Sequence, residues 1–256
     1  MLMLHIDAAA GTHVGCIRTN NEDSFASLPE LGLFMVADGI GGRPGGEVAS
    51  RMAVEAVRAY YQQEDPEQTW PYGFDRSQDR DEAALVQALR RANAAIFEKA
   101  VRESTLRGMG TTFAGALVRG GRVYLAHVGD SRIYRFRKGA IERLTRDHSV
   151  IEAARRPGVI LDDLDNPSAR MILRAVGTSR RVDVETRSES VRPGDTLLVC
   201  SDGLWEAVPD DAIAATLTWP GRAEVIVSGL IGRALERRAR DNVTCVVVRF
   251  GEAGAP

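Results

Sequence analysis

The stretch Leu33-Phe34-Met35-Val36-Ala37-Asp38-Gly39 runs five apolar residues into an acid and a glycine. An apolar run of that length closed by a turn dipeptide reads as a buried strand that ends at a carboxylate. The arrangement recurs twice: Leu125-Ala126-His127-Val128-Gly129 runs into Asp130-Ser131, and Leu197-Leu198-Val199-Cys200-Ser201 runs into Asp202-Gly203. Asp241-Asn242 is the mirror image, an acid that leads into the apolar run Val243 to Phe250. Further short β-type segments cover Thr111 to Val118, Arg122 to Val128, Ile133 to Phe136 and Thr196 to Cys200.

Around these strands the period changes from two to 3.6. Between Gly46 and Gln63, Val48, Met52, Ala56 and Tyr60 recur four apart with Ala49, Ala53 and Val57 beside them, which predicts a helix. Asp81 to Glu103 predicts a second through Leu85, Leu89 and Ile96, with Asp81 as its N-cap. The polar, Pro- and Gly-containing stretch from Glu64 to Arg80 reads as the loop between them. Helical pattern returns in Asp210 to Leu217 and Ala223 to Arg240. Strands in adjacent runs with helices in pairs predict an α+β layered sandwich rather than a doubly wound parallel sheet, and residues 1–256 read as a single domain.

Composition narrows the function. The 256 residues carry 33 basic against 35 acidic side chains, a net charge of −2, which argues against a protein that wraps nucleic acid. Its only lysines are Lys99 and Lys138, so 31 of the 33 basic residues are arginine. Cys16, Cys200 and Cys245 are odd in number and lack C-x-x-C spacing, so neither a disulfide framework nor a zinc knuckle is expected. The N-terminal MLMLHIDAAA lacks a basic leader, and no apolar run approaches the ~18 residues of a membrane span. A cytoplasmic location without membrane association is the expectation.

The acids carry the chemistry. If the strands lie in packed sheets, Asp38, Asp202 and Asp241 converge on one rim, joined by the acidic pair Glu22-Asp23. Carboxylates a few ångströms apart raise one another's pKa, and divalent cations relieve the conflict. Ligation by oxygen alone suits Mg²⁺ or Mn²⁺ rather than Zn²⁺. The competing reading for each acid taken singly is turn chemistry, since Asp-Gly is a common turn dipeptide.

Seven blocks occur in an order that resembles the metal-dependent protein phosphatase family, also called protein phosphatase 2C: Arg18-Thr19-Asn20-Asn21-Glu22-Asp23, Val36 to Gly42, Gly108 to Thr112, Val128 to Arg132, Leu144 to Ser149, Ser201 to Leu204 and Asp241 to Thr244. The resemblance runs from about Gly11 to Phe250. It implies a four-layer α-β-β-α sandwich, two antiparallel sheets flanked by helix pairs, with a dinuclear Mn²⁺ or Mg²⁺ centre at one end of the sheets. By the family pattern Asp38 bridges both ions, the Gly39 carbonyl contacts one, Asp202 and Asp241 ligate the other, and Glu22 and Asp23 act largely through water. Asp130 matches the acid that helps hold a third, weaker ion; the alternative is a Gly129-Asp130-Ser131-Arg132 hairpin that joins two strands without any metal. Arg18 matches the residue that grips the phosphate, and with Asp38 it is the expected catalytic pair.

The implied activity is that of a serine/threonine protein phosphatase that works by direct attack of a metal-bridging hydroxide. It would oppose a Ser/Thr kinase, act as a monomer and bind neither nucleic acid nor membrane. None of the cysteines has a setting that lowers a thiol pKa, which fits a route without a covalent intermediate. The departure is Ile40, where eukaryotic members carry a histidine credited with protonating the leaving group. A metal-bound water is the first candidate for that role and His148 a second, with a structural hydrogen-bonding role the competing reading for His148. The segment at about 149–177 matches the family's flap, whose Arg155, Arg156 and Arg170 are candidate substrate contacts. The readings from other classes are a non-catalytic phosphopeptide-binding module and a phosphoesterase acting on small molecules or nucleic acid.

Overall fold

In the computed structural model the described residues are 4–40, 45–62, 79–154 and 171–252. They form two five-stranded antiparallel sheets. The first sheet takes β1 (Leu4–His13), β6 (Arg132–Arg137), β7 (Ala140–Arg143), β9 (Thr196–Cys200) and β10 (Val243–Glu252), in the order β1-β10-β9-β6-β7. The second takes β2 (Asp23–Leu28), β3 (Leu33–Asp38), β4 (Phe113–Arg119), β5 (Arg122–Val128) and β8 (Glu185–Ser190), in the order β2-β3-β4-β5-β8. Helices α1 (Gly46–Gln62) and α2 (Arg80–Arg102) cover the second sheet, while α5 (Asp210–Leu217) and α6 (Ala223–Glu236) cover the first. Two short helices, α3 (Val150–Ala154) and α4 (Asp202–Trp205), complete the set. The expected α-β-β-α sandwich is the observed architecture.

The continuous apolar runs follow from these layers. Side chains alternate across a strand, and here both faces are covered. Leu33, Met35 and Ala37 of β3 pack under α1 and α2, whereas Phe34 and Val36 point into the seam between the sheets. In β9, Leu198 and Cys200 face α5 and α6, and Leu197 and Val199 face the seam. Strands buried on one face only were harder to read. β8, Glu185–Ser190, is polar and lies at a sheet edge, and β2 and β7 carry no long apolar run. β1 pairs with β10 over ten residues although it is rich in alanine. Its small side chains let α6 approach: a Cβ on Gly11 would lie 2.7 Å from Val227 Cγ1.

Three expectations are corrected. Asp79, not Asp81, caps α2; its side chain accepts from the Asp81 N–H at 3.0 Å. The last helix stops at Glu236 rather than Arg240, because Arg238 turns left-handed (φ 58°) and the Ala239 N–H returns to Ala234 O. Gly129 to Arg132 is not a hairpin turn: β5 belongs to one sheet and β6 to the other, so this segment crosses the seam at the rim. Most of the loop read at Glu64 to Arg80, and Arg155, Arg156 and Arg170 of the flap, lie outside the described residues.

Candidate metal centre

β3 ends at Asp38 and β2 begins at Asp23, and the two are register partners across the sheet. Asp38 is held by its backbone: its N–H donates to Thr112 Oγ1 at 3.0 Å, while its carbonyl accepts from the Thr112 N–H and from Thr111 Oγ1, both at 2.8 Å. Thr112 Oγ1 in turn meets Ser131 Oγ at 2.7 Å, tying the seam crossing to the same point. Gly39 has no room for a side chain, since a Cβ would lie 2.4 Å from the Gly46 carbonyl and 2.8 Å from Glu22 O. Glu22 itself rests against the start of α1, with Oε2 2.5 Å from the place of a Gly46 Cβ.

The other sheet brings Asp202, just after β9, and Asp241, just before β10. Asn242 joins the halves: its Oδ1 accepts from the Glu22 N–H at 2.8 Å, and its Nδ2 donates to Val14 O and Asn20 O, each at 2.9 Å. Ser201 Oγ donates to Asp23 Oδ2 at 2.8 Å across the seam. Arg18 Nη2 donates to Asp241 Oδ2 at 2.7 Å.

Arg18, Glu22, Asp38, Gly39, Asp202 and Asp241 thus line one cavity of about 340 Å³. Asp23 and Asp130 do not line it; they stand behind it. Three carboxylate oxygens of this set, Asp23 Oδ1, Asp130 Oδ1 and Asp202 Oδ1, are buried and lack a hydrogen-bond partner among the described residues. A buried unpartnered carboxylate oxygen is costly. Burial, and next the neighbouring carboxylates, push Asp38 and Asp202 well above the usual carboxylate range. Burial also raises Asp23 to about 7, against hydrogen bonds from Thr244 and Ser201, and raises Asp130 to about 7 with Asp147 adding to it. Oxygen donors with raised pKa values and open lone pairs fit hard divalent cations, so the donor set suits Mg²⁺ or Mn²⁺.

A second group of possible ligand atoms, on His127, His148 and Glu185, lies within 4.8 Å. Its hydrogen bonds tell against a metal. His148 Nδ1 accepts from the Gly129 N–H at 3.2 Å, so the ring proton sits on Nε2, which meets Glu185 Oε2 at 3.2 Å. His127 stacks on His148 with ring centroids 4.6 Å apart. His148 therefore takes a structural part here, and it does not line the acidic cavity.

The sequence blocks contained Thr111, Thr112, Ser131, Ser201 and Asn242 without assigning them a part. Their signal was position beside an acid, but only the fold shows which backbone groups they hold.

Two packed sheets thus gather carboxylates and one arginine at one rim. The protein phosphatase 2C family matches residues 15–222. The serine/threonine protein phosphatase PstP of Mycobacterium tuberculosis is 36% identical over 241 residues, covering 93% of this chain and 44% of the relative, so the chain spans under half of that protein. The serine/threonine phosphatase stp of Listeria innocua is 32% identical over 246 residues, covering 93% of each. The crystal structure of the catalytic domain of PstP with two manganese ions superposes with a TM-score of 0.82 at 33% identity, covering 98% of this chain and 100% of that one. The chain belongs to the protein phosphatase 2C family.

Proposed function

We propose that residues 1–256 act as one catalytic domain, a Mn²⁺- or Mg²⁺-dependent serine/threonine protein phosphatase. The observation that carries this reading is the convergence of Asp38, Asp202 and Asp241 with Arg18 on one cavity, backed by buried carboxylate oxygens without partners. Asp38, the Gly39 carbonyl, Asp202 and Asp241 are the proposed inner ligands. Glu22 and Asp23 are the proposed supports, and Asp130, whose charge acts on Asp202, is the proposed holder of a third ion. Two bound cations would acidify a water and neutralise the phosphate charge.

The chain's own residues do the rest. Arg18 offers a guanidinium fork to the phosphate oxygens, and its bond to Asp241 tethers it at the lining of the cavity. Thr112 and Asn242 hold the backbone of Asp38 and Glu22 so that the acids need not rearrange when substrate arrives. Ile40 lines the cavity and has no ionisable proton to give, so the leaving alkoxide takes its proton from solvent-derived water. The substrates are phosphoproteins, and the enzyme opposes a Ser/Thr kinase. A cytoplasmic, monomeric enzyme is part of the same reading; the three free cysteines, which lack a C-x-x-C motif, support only the reducing compartment. Among the described residues no helix is long and apolar enough to cross a membrane.

The test is hydrolysis of a phosphothreonine peptide with and without Mn²⁺ by the wild type, Asp38→Asn and Asp202→Asn. Activity is expected only for the wild type with metal. Turnover that survives chelation or both substitutions would overturn the reading, and rapid hydrolysis of nucleotides with none of phosphopeptides would redirect it to small phosphoesters.

A further inference from the structure

Several arginines of this chain are neutralised by carboxylates: Arg132 by Asp147, Arg137 by Asp195 and Arg174 by Asp183. Arg90 of α2 and Arg180 and Arg181, which follow Gly177, differ. All three are exposed, none forms an ion pair among the described residues, and together they line one open cavity of about 610 Å³ with Asn93 and Val182. Three like charges facing one cavity repel, and an anionic ligand relieves that repulsion.

The segment that carries Arg180 and Arg181 is built rather than loose. Asn93, 1% exposed, spends its whole amide on it: Oδ1 accepts from the Gly177 N–H at 2.7 Å, and Nδ2 donates to Ser179 O at 3.0 Å and Arg180 O at 3.3 Å. Gly177 sits at φ 91°, where a Cβ would lie 2.1 Å from Ile96 Cγ2, so the turn is pressed onto α2. A buried amide that locks a surface turn gives its side chains a fixed origin, which lowers the ordering cost of binding.

The turn that bears Arg180 and Arg181 is connected to the acidic cavity by packing. Thr178 Cγ2 lies 2.5 Å from the place of a Gly110 Cβ, and Ile40 Cδ1 3.3 Å from it. The Ile40 N–H donates to Gly110 O, and Ile40 lines the cavity that holds Arg18 and Asp38. Packing through Ile40, Gly110 and Thr178 thus links the wall of the acidic cavity to the turn that carries Arg180 and Arg181.

We propose that Arg90, Arg180 and Arg181 form a specificity subsite for anionic side chains that flank the phosphorylated residue of a protein substrate. The inference rests on the phosphatase reading above and adds to it a preference for acidic or multiply phosphorylated segments. Arginine suits the task because its fork pairs bidentately with both carboxylate and phosphate.

The test has two arms. In the first, a fluorescent Glu-rich peptide without phosphate is titrated into metal-free protein and followed by anisotropy. Binding is expected for the wild type, weakening with salt; Arg180→Glu with Arg181→Glu should weaken it about tenfold or more, and the charge-matched control Arg58→Glu with Arg192→Glu should leave it unchanged. In the second, Mn²⁺-loaded enzyme is given phosphothreonine peptides with neutral, glutamate or second-phosphoserine flanks. The wild type should favour the anionic flanks through KM, the variant should lose that preference, and hydrolysis of para-nitrophenyl phosphate should be the same in both. The glutamate and phosphoserine arms tell which anion the subsite prefers. Should the charge reversal fail to fold, Arg180→Gln with Arg181→Gln asks the same question. Equal affinity in wild type and variant, or a flank preference that survives in the variant, overturns the subsite. Peptide binding that depends on the arginines without turnover of any phosphopeptide would leave the subsite standing and overturn the phosphatase reading instead.

Discussion

Asp23 and Asp38 face each other directly across β2 and β3, where Ser201 reaches over from the first sheet to Asp23. Like charges opposite one another destabilise a sheet, and this pair is further desolvated by its burial. Asp38→Asn should therefore raise the melting temperature of the metal-free protein by a few degrees, while abolishing the further rise that Mn²⁺ gives the wild type. Differential scanning fluorimetry with and without metal reads both effects. A variant that is less stable than the wild type without metal would show that the Asp38 carboxylate contributes more to the fold than its repulsion with Asp23 costs.

The pH dependence of the metal-free protein has a defined sign. Asp23 and Asp130 are raised from about 3.8 when unfolded to about 7 when folded, so between those values the folded state holds protons that the unfolded state has released. Stability therefore falls as pH rises from about 4 towards 7. Saturating Mn²⁺ should flatten or reverse that fall, because the cation replaces the protons. Melting temperatures across this range, with chelator and with Mn²⁺, check the prediction; a stability that climbs with pH in chelator would contradict it.

Arg18 donates to Asp241 and lines the acidic cavity, where we propose that it binds phosphate. Hydrogen bonds to charged groups contribute about 1.5–3 kcal/mol, so Arg18→Ala should lower kcat/KM for a phosphopeptide by ~10- to 150-fold. Arg18→Lys should recover only part of that loss, since an ammonium lacks the planar fork. Steady-state kinetics at saturating Mn²⁺ separate the cases, and a lysine variant with full activity would show that charge alone suffices.

Asn242 is 4% exposed and holds Glu22, Val14 and Asn20 through three hydrogen bonds. Asn242→Ala leaves those backbone groups without their partner at a cost of ~1–3 kcal/mol each where they remain buried. The expected outcome is a lower melting temperature together with weaker Mn²⁺ binding by isothermal titration calorimetry. Unchanged metal affinity would mean that Asn242 braces the fold without aligning the acids.

Local pattern determined a good deal. Strands covered on both faces, such as β3, β9 and β10, announce themselves as unbroken apolar runs, and α1 and α2 as stripes of period 3.6, because burial on a regular element forces that spacing. The order of acidic blocks pointed to Asp38, Asp202 and Asp241 for the same reason: each sits at a strand end, where a turn residue and a rim residue coincide. Partly exposed strands left little trace, and β8 reads as polar because burial does not select its outer face.

Tertiary structure decided what separation along the chain conceals. Asp23 and Asp38 are fifteen positions apart and become register partners; Arg18 and Asp241 are 223 apart and become an ion pair. The Gly129–Arg132 segment was legible as a tight turn, yet only the sheet order shows that it crosses from one sheet to the other and so carries Asp130 to the rim. The backbone clamps of Thr112 and Asn242 and the arginine groove beside Asn93 belong to the same category. Hydrogen-bond partners and converging charges are properties of distance in space, and distance is set when the two sheets pack face to face through their apolar seam.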